Sequence, residues 1–219
     1  MAGMDLVIFD LDGTLIDSSR DLANSVNATR GHLGLSPIEH DTVYSYVGNG
    51  APVLIRKALG PDYTDEAVAR ALEYFLAYYR EHMLDHTALY PGLREILDRF
   101  QDAGIRMAVL TNKPVRFSQA IIDGLGLAAH FGRVYGGNSL EQKKPHPMGI
   151  EKLMNEFGAG REKTLMVGDS AVDVQTARNA HVRVCGVTWG FQPETFAANP
   201  PDFLVDTPAE LAARVMGRA

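Results

Sequence analysis

"DLVIFDLDGTLIDSS" (residues 5–19) is the stretch on which the rest of the chain turns. Four apolar residues, Leu6 to Phe9, run into Asp10, then Leu11, then a second carboxylate at Asp12, with Gly13 and Thr14 directly behind. A short apolar run closed by polar turn residues is the pattern of a strand buried on both faces of a parallel sheet. Residues two apart on an extended chain project to the same side, so the carboxylates of Asp10 and Asp12 would meet in one cleft and repel each other there.

Comparable strand candidates follow at residues 106–112, 133–138, 164–170 and 182–190, with a weaker one at 202–206. Between them, "GLREILDRFQDAG", "RFSQAIIDGLG", "PMGIEKLMNEFG" and "SAVDVQTARNAH" have helical periodicity. Such alternation predicts an α/β fold, a Rossmann-like parallel sheet with helices on both faces. Roughly ninety residues between Asp12 and Arg106 break the rhythm, far more than a crossover needs. Helices are expected there near Ser19 to Leu33, Asp41 to Tyr46, Ala51 to Leu59 and Asp65 to Met83. The expected organisation is a core of residues 1–16 and 89–219 with a helical insert at 17–88, its return marked by Pro91 and Gly92.

A net charge of −6 over 219 residues argues against binding nucleic acid or an anionic membrane, both of which need an excess of Lys and Arg. Cys185 is the sole cysteine, which excludes an intrachain disulfide and points to a reducing, cytoplasmic compartment. No stretch approaches the roughly 20 apolar residues of a spanning helix. The expected partner is a small molecule, with the protein a monomer or homodimer.

Ligands of parallel α/β sheets gather beyond the carboxyl ends of the strands. Those ends offer Asp10 and Asp12, then Thr111 and Asn112, then Lys143 and Lys144, then Asp169, Ser170 and Asp173. Four carboxylates in one place call for a cation, and hard oxygen ligands without a His or Cys cluster point to Mg²⁺. Lys144 adds positive charge, Thr111 and Asn112 add neutral donors, and the backbone N–H groups of Gly13 and Thr14 are expected to hold an anion. The set suits phosphoryl transfer.

The order and spacing of "DLDGT", "TN", "KKPHP" and "GDSAVD" resemble those of the haloacid dehalogenase superfamily of phosphohydrolases, over nearly the whole chain, and the insert resembles its C1 cap. That resemblance implies Asp10 as nucleophile and Asp12 as the acid and base that serves the leaving group and then water. It implies Thr111, Asn112 and Lys144 around the transferring phosphoryl group, with Lys143 only a surface charge. It also implies Mg²⁺ bound by Asp169, the Asp10 carboxylate and the Asp12 carbonyl, with Asp173 one helical turn on. The segment "VGNGAPVLIRKAL" (47–59) is most similar to that of the phosphoglycolate phosphatases. It makes Gly48, Asn49, Gly50 and Arg56 candidates for binding the substrate, 2-phosphoglycolate, at the start of a cap helix.

Phosphatases for sugar phosphates, N-acetylmuramic acid 6-phosphate, nucleotides or pyrophosphate, and a mutase of the β-phosphoglucomutase type, share the same core residues. A haloacid dehalogenase has no use for Asp12, and a phosphonatase wants a cap lysine that only Lys57 approaches. A phospho-accepting signalling module is about half this length and lacks the insert. Ser170 is expected to cap the helix after it, His82 and His86 to lie on a solvated helical face, and Cys185 to be a core thiol.

Overall fold

The structure, a computed structural model, describes residues 3–217. Leu6 to Phe9 form strand β1, fully buried, at the centre of a six-stranded sheet. Its parallel neighbours are β4 (Arg106–Leu110) and β6 (Thr164–Gly168), paired in register Leu6 with Arg106 and Leu6 with Thr164. Beyond them lie β5 (Arg133–Tyr135) on one side and β7 (Arg183–Val187) and β8 (Phe203–Val205) on the other, giving the order β5-β4-β1-β6-β7-β8, parallel throughout.

The period of two explains the layers. Val7 and Phe9 face one apolar core, shared with α5 (Leu93–Asp102), α6 (Val115–Gly124) and α9 (Pro208–Met216). Leu6 and Ile8 face another, built with α7 (Met148–Phe157) and α8 (Ala171–Asn179). Cys185 belongs to the first core, where burial pushes its thiol pKa up, as expected of a packing residue.

Between β1 and β4 the chain forms α1 (Ser19–His32), α2 (His40–Tyr44), α3 (Ala51–Leu59) and α4 (Asp65–His82). Their apolar faces, among them Leu22, Val26, Leu54, Ile55 and Phe75, join the same core as Val7 and Phe9. The insert leaves through β2 (Ile16–Asp17) and returns through β3 (Ala88–Leu89), which pair antiparallel, Ile16 with Leu89 and Asp17 with Ala88. Two residues are too few for a periodic signal, so this ribbon was not expected.

A buried carboxylate ties the two crossings together. Asp21 Oδ2, in the first turn of α1, accepts hydrogen bonds from the N–H groups of His86 (3.0 Å) and Thr87 (2.8 Å) and from the Thr87 hydroxyl (2.8 Å). α4 ends at His82, which pairs with Asp85 and stacks on Tyr78, so His86 lies beyond the helix and the two do not share the helical face expected of them. No helix among the described residues is long and apolar enough to cross a membrane.

Candidate active site

Each strand end delivers its polar residues to one place because β1, β4 and β6 are adjacent and parallel. Asp10 N–H still donates to the Val167 carbonyl (2.9 Å), which extends the ladder one residue and fixes where its side chain emerges. Asp10, Asp169 and Asp173 come together with one carboxylate oxygen of each within 4.8 Å of the others, all buried. Lys144 Nζ donates to Asp173 Oδ1 at 2.6 Å and lies 2.8 Å from Asp10 Oδ1. The latter contact is an ion pair, and outside it Asp10 Oδ1, a buried oxygen, has no hydrogen bond among the described residues.

Electrostatics follows from that crowding. Burial, and secondarily the Asp173 charge, outweigh Lys144 and push the Asp10 carboxyl up to about 6. Burial, then Asp173 and Asp10, hold Asp169 well above the usual carboxylate range. Burial alone would lower the Lys144 ammonium, but Asp10 and Asp173 overcome it and raise its pKa. Three buried carboxylates against one ammonium leave uncompensated negative charge, which fits a hard divalent cation such as Mg²⁺.

Glycines make the approach possible. A Cβ on Gly13, whose φ is +78°, would stand 2.2 Å from Asp169 Oδ2, and one on Gly190 would stand 2.2 Å from Asp169 Cβ. Phe191 N–H, next in the loop, donates to Asp169 Oδ2 at 2.7 Å. A Cβ on Gly168 would likewise meet Asp173 at 2.2 Å. Asp173 Oδ2 accepts from both the N–H (3.2 Å) and the hydroxyl (2.8 Å) of Ser170, so Ser170 caps α8 while fixing Asp173.

Asp12 sits apart from the acidic cluster. Its carboxylate accepts from Ser18 Oγ (2.5 Å) and from Lys113 Nζ (2.9 and 3.0 Å). Lys113 is itself buried, with Nζ 4.6 Å from the centre of the Tyr79 ring. Asp12 and Tyr79 more than offset the cost of its burial and raise its pKa. Neither Lys113, Ser18 nor Tyr79 stood out in the sequence; the position of Lys113 straight after Thr111 and Asn112 was the signal available.

Several expected contacts are made differently. Gly13 N–H donates to the Ile16 carbonyl (2.9 Å) and Thr14 N–H to the Leu11 carbonyl (3.2 Å), so both close the turn after β1 rather than waiting for an anion. The Asn112 carboxamide nitrogen donates to the carbonyls of Gly48 (2.9 Å) and Lys144 (3.0 Å), which joins the insert to the core instead of facing a phosphoryl group. Thr111, buried, accepts from Lys113 N–H (3.2 Å) and keeps its hydroxyl proton to donate. Arg56 turns from the cleft, because the Tyr63 carbonyl and the Asp65 carboxylate at the start of α4 hold its guanidinium. Lys143 is more than a surface charge: Nζ donates to the Asn49 carbonyl at 2.8 Å.

The insert closes over the cluster through these bonds and through Gln192, whose amide donates to the Val47 carbonyl (2.9 Å), with Phe191 stacked on Tyr44. Beneath it a cleft runs from Asp10, Asp169 and Thr111 to an apolar wall that includes Leu22, Val47, Leu54, Phe75 and Phe117. Gly48 and Gly50 line it, whereas Asn49 and Arg56 do not.

A parallel sheet that gathers carboxylates, a lysine and a hydroxyl at its carboxyl edge, beneath a helical insert, has the parts that a phosphoryl-transfer hydrolase with an α/β core requires. Residues 7–187 match the family of haloacid dehalogenase-like hydrolases. The chain belongs to that family and is an enzyme. It is 39% identical over 215 residues to the phosphoglycolate phosphatase of Vibrio parahaemolyticus serotype O3:K6, covering 94% of this chain and 93% of the other. The phosphoglycolate phosphatase of Colwellia psychrerythraea is 38% identical over 214 residues, with 94% and 95% covered. Among solved structures, that of a predicted phosphoglycolate phosphatase from Haemophilus somnus 129pt superposes with a TM-score of 0.90 at 33% identity, over 96% of this chain and 97% of its own.

Proposed function

We propose that this hydrolase is a Mg²⁺-dependent phosphatase of small phosphate monoesters, and that its substrate is 2-phosphoglycolate. The observation that carries the reading is the buried convergence of Asp10, Asp169, Asp173 and Lys144, three carboxylates against one ammonium. The names of the relatives support the choice of ester.

Asp10 attacks phosphorus as the ester P–O bond breaks, and becomes an aspartyl phosphate. Asp12, held by Ser18 and Lys113, enters this step as the carboxylic acid, gives its proton to the departing alkoxide oxygen and is left as the carboxylate. It then takes a proton from water, whose oxygen attacks the phosphoryl group and frees Asp10 and inorganic phosphate. Lys144 stands against the charge of Asp10 and the phosphoryl oxygens, and the Thr111 hydroxyl donates to one of those oxygens. Asp10, Asp169 and the Asp12 carbonyl would hold Mg²⁺, with Asp173 close by. When bound, the ion supplies positive charge that offsets the repulsion between phosphate and Asp10. Residues 17–88 act as a cap that excludes bulk water and presents Gly48 and Gly50 to the leaving group. Asn112, Lys143 and Gln192 hold it down.

Phosphate release from a panel of esters, with Mg²⁺ and with chelator, tests this. Wild type is expected to prefer 2-phosphoglycolate over sugar phosphates by more than about tenfold in kcat/KM, about 1.4 kcal/mol. Asp10→Asn is expected to lose turnover of every ester. Absence of metal-dependent release from all of them overturns the phosphatase reading, and isomerisation of a sugar phosphate without release replaces it with a mutase.

A further inference from the structure

The cleft has a cation that the phosphoryl group does not need. Lys144 already serves Asp10 and Asp173, and Lys113 is the single Lys or Arg among the described residues that line the cleft. Both hydrogen bonds formed by its ammonium go to one group, the Asp12 carboxylate, and an ammonium has three donors.

Beside it lies a second unused donor. The Tyr79 hydroxyl is buried and has no hydrogen-bond partner among the described residues, although Tyr79 lines the same cleft. Burial pushes the phenol up to about 12, so it keeps its proton. Tyr79 is held on both sides, parallel to Phe75 at 5.7 Å between ring centres and edge-on to Phe117 at 5.5 Å. Its ring in turn faces Lys113 Nζ, which fixes the ammonium where Asp12 and the apolar wall meet.

Asp12 also fixes where a leaving group must be, because it protonates the ester oxygen. In 2-phosphoglycolate one methylene separates that oxygen from a carboxylate, so the carboxylate lies within about 4 Å of it. An anion placed there, against Asp12 and apolar side chains, needs a cation and a neutral donor. Arg56, the charge expected to meet it, is engaged elsewhere.

We propose that Lys113 and Tyr79 form the carboxylate-recognition site of this enzyme, with Lys113 Nζ and the Tyr79 hydroxyl donating to the carboxylate of the substrate. The assignment rests on the reading of the substrate as 2-phosphoglycolate and adds to it the residues that select the ester. Lys113 thereby bridges Asp12 and the substrate carboxylate on either side of the leaving oxygen, while an ester with an uncharged tail leaves it with Asp12 alone.

Two pairs of compounds test the assignment. Turnover is compared for 2-phosphoglycolate and ethyl phosphate. Binding to the Mg²⁺-loaded enzyme is compared by calorimetry for 3-phosphonopropionate and propylphosphonate, which cannot be hydrolysed and differ in the carboxylate. Wild type is expected to favour the carboxylated member of each pair. Lys113→Met is expected to shrink that preference by about a hundredfold, and Tyr79→Phe by about three- to tenfold. Equal loss on both members of each pair, with the preference intact in both variants, overturns the inference and leaves Lys113 as a support for Asp12. Should Lys113→Met fail to unfold cooperatively, Tyr79→Phe decides alone, since it removes only a hydroxyl that has no partner. A wild type that favours neither carboxylated compound overturns the substrate reading itself, and the assignment with it.

Discussion

The two walls of the cleft are built on opposite physical terms. On the core side Asp10 and Asp169 line it, crowded at the strand ends against buried Asp173 and Lys144. On the insert side the wall is Leu22, Val47, Leu54 and Phe75, with Tyr79 as its one polar tip facing Lys113. The core wall is a costly concentration of charge that is stable only because sheet register and glycine contacts leave its members nowhere else to go. The insert wall costs little, being ordinary apolar packing. On the proposed reading, reaction is carried by the core wall, and selection is shared between Lys113 of the core and Tyr79 of the insert.

That contrast can be broken from the core side first. Gly190→Ala puts a Cβ 2.2 Å from Asp169 Cβ and 2.4 Å from the Gly13 carbonyl. Displacement of Asp169 on that scale is expected to lower kcat/KM by about a hundredfold or more. Gly160→Ala, where a Cβ meets nothing within 4 Å, is the matched control and is expected to leave kcat/KM unchanged. Steady-state kinetics of the two variants reads the difference.

Next in size is the cost of the charge cluster itself. Asp10 titrates near 6 in the folded, metal-free protein against 3.8 as its ordinary value, so the native state holds its proton more tightly than the unfolded chain. Protonated, the group costs nothing; as pH rises from about 4 to beyond 6 the metal-free protein is expected to lose about 2–3 kcal/mol of stability. Urea midpoints at pH 4 and 7.5 in chelator check this. Added Mg²⁺ is expected to stabilise more at pH 7.5 than at pH 5. A flat profile in chelator would mean that the cluster is not strained.

The smallest effect is expected on the insert. Arg56→Ala removes an exposed ion pair to Asp65 outside the cleft, so stability should change by less than about 1 kcal/mol and kcat/KM for 2-phosphoglycolate by less than about twofold. A large rise in KM would return Arg56 to the substrate and make the insert wall electrostatic after all.

The core wall was legible in the sequence because its geometry is generic. A short apolar strand puts Asp10 at its carboxyl end, and Asp169 and Asp173 are one helical turn apart after another such strand. The rest depended on packing between distant segments. Lys113 and Asp12 are 101 positions apart, and Asn112 meets Gly48 across 64, so neither contact leaves a local pattern. Gly13 and Thr14 misled for the opposite reason: their N–H groups satisfy carbonyls in their own turn, an option that composition alone does not distinguish from a free anion cradle. Arg56 lost its expected role to Asp65, nine residues on, once α3 and α4 were set side by side.

The ribbon of β2 and β3 has a consequence for how such a molecule can diversify. Asp17 and Ala88 are cross-strand partners, so the insert begins and ends at neighbouring points, and a tight turn between them would close the core as a hairpin without moving β1. Everything from α1 to α4 is in that sense a cassette, plugged into the sheet by two short strands and pinned by Asp21. A different cassette on the same two strands would inherit a finished reaction centre and bring its own preference for what enters.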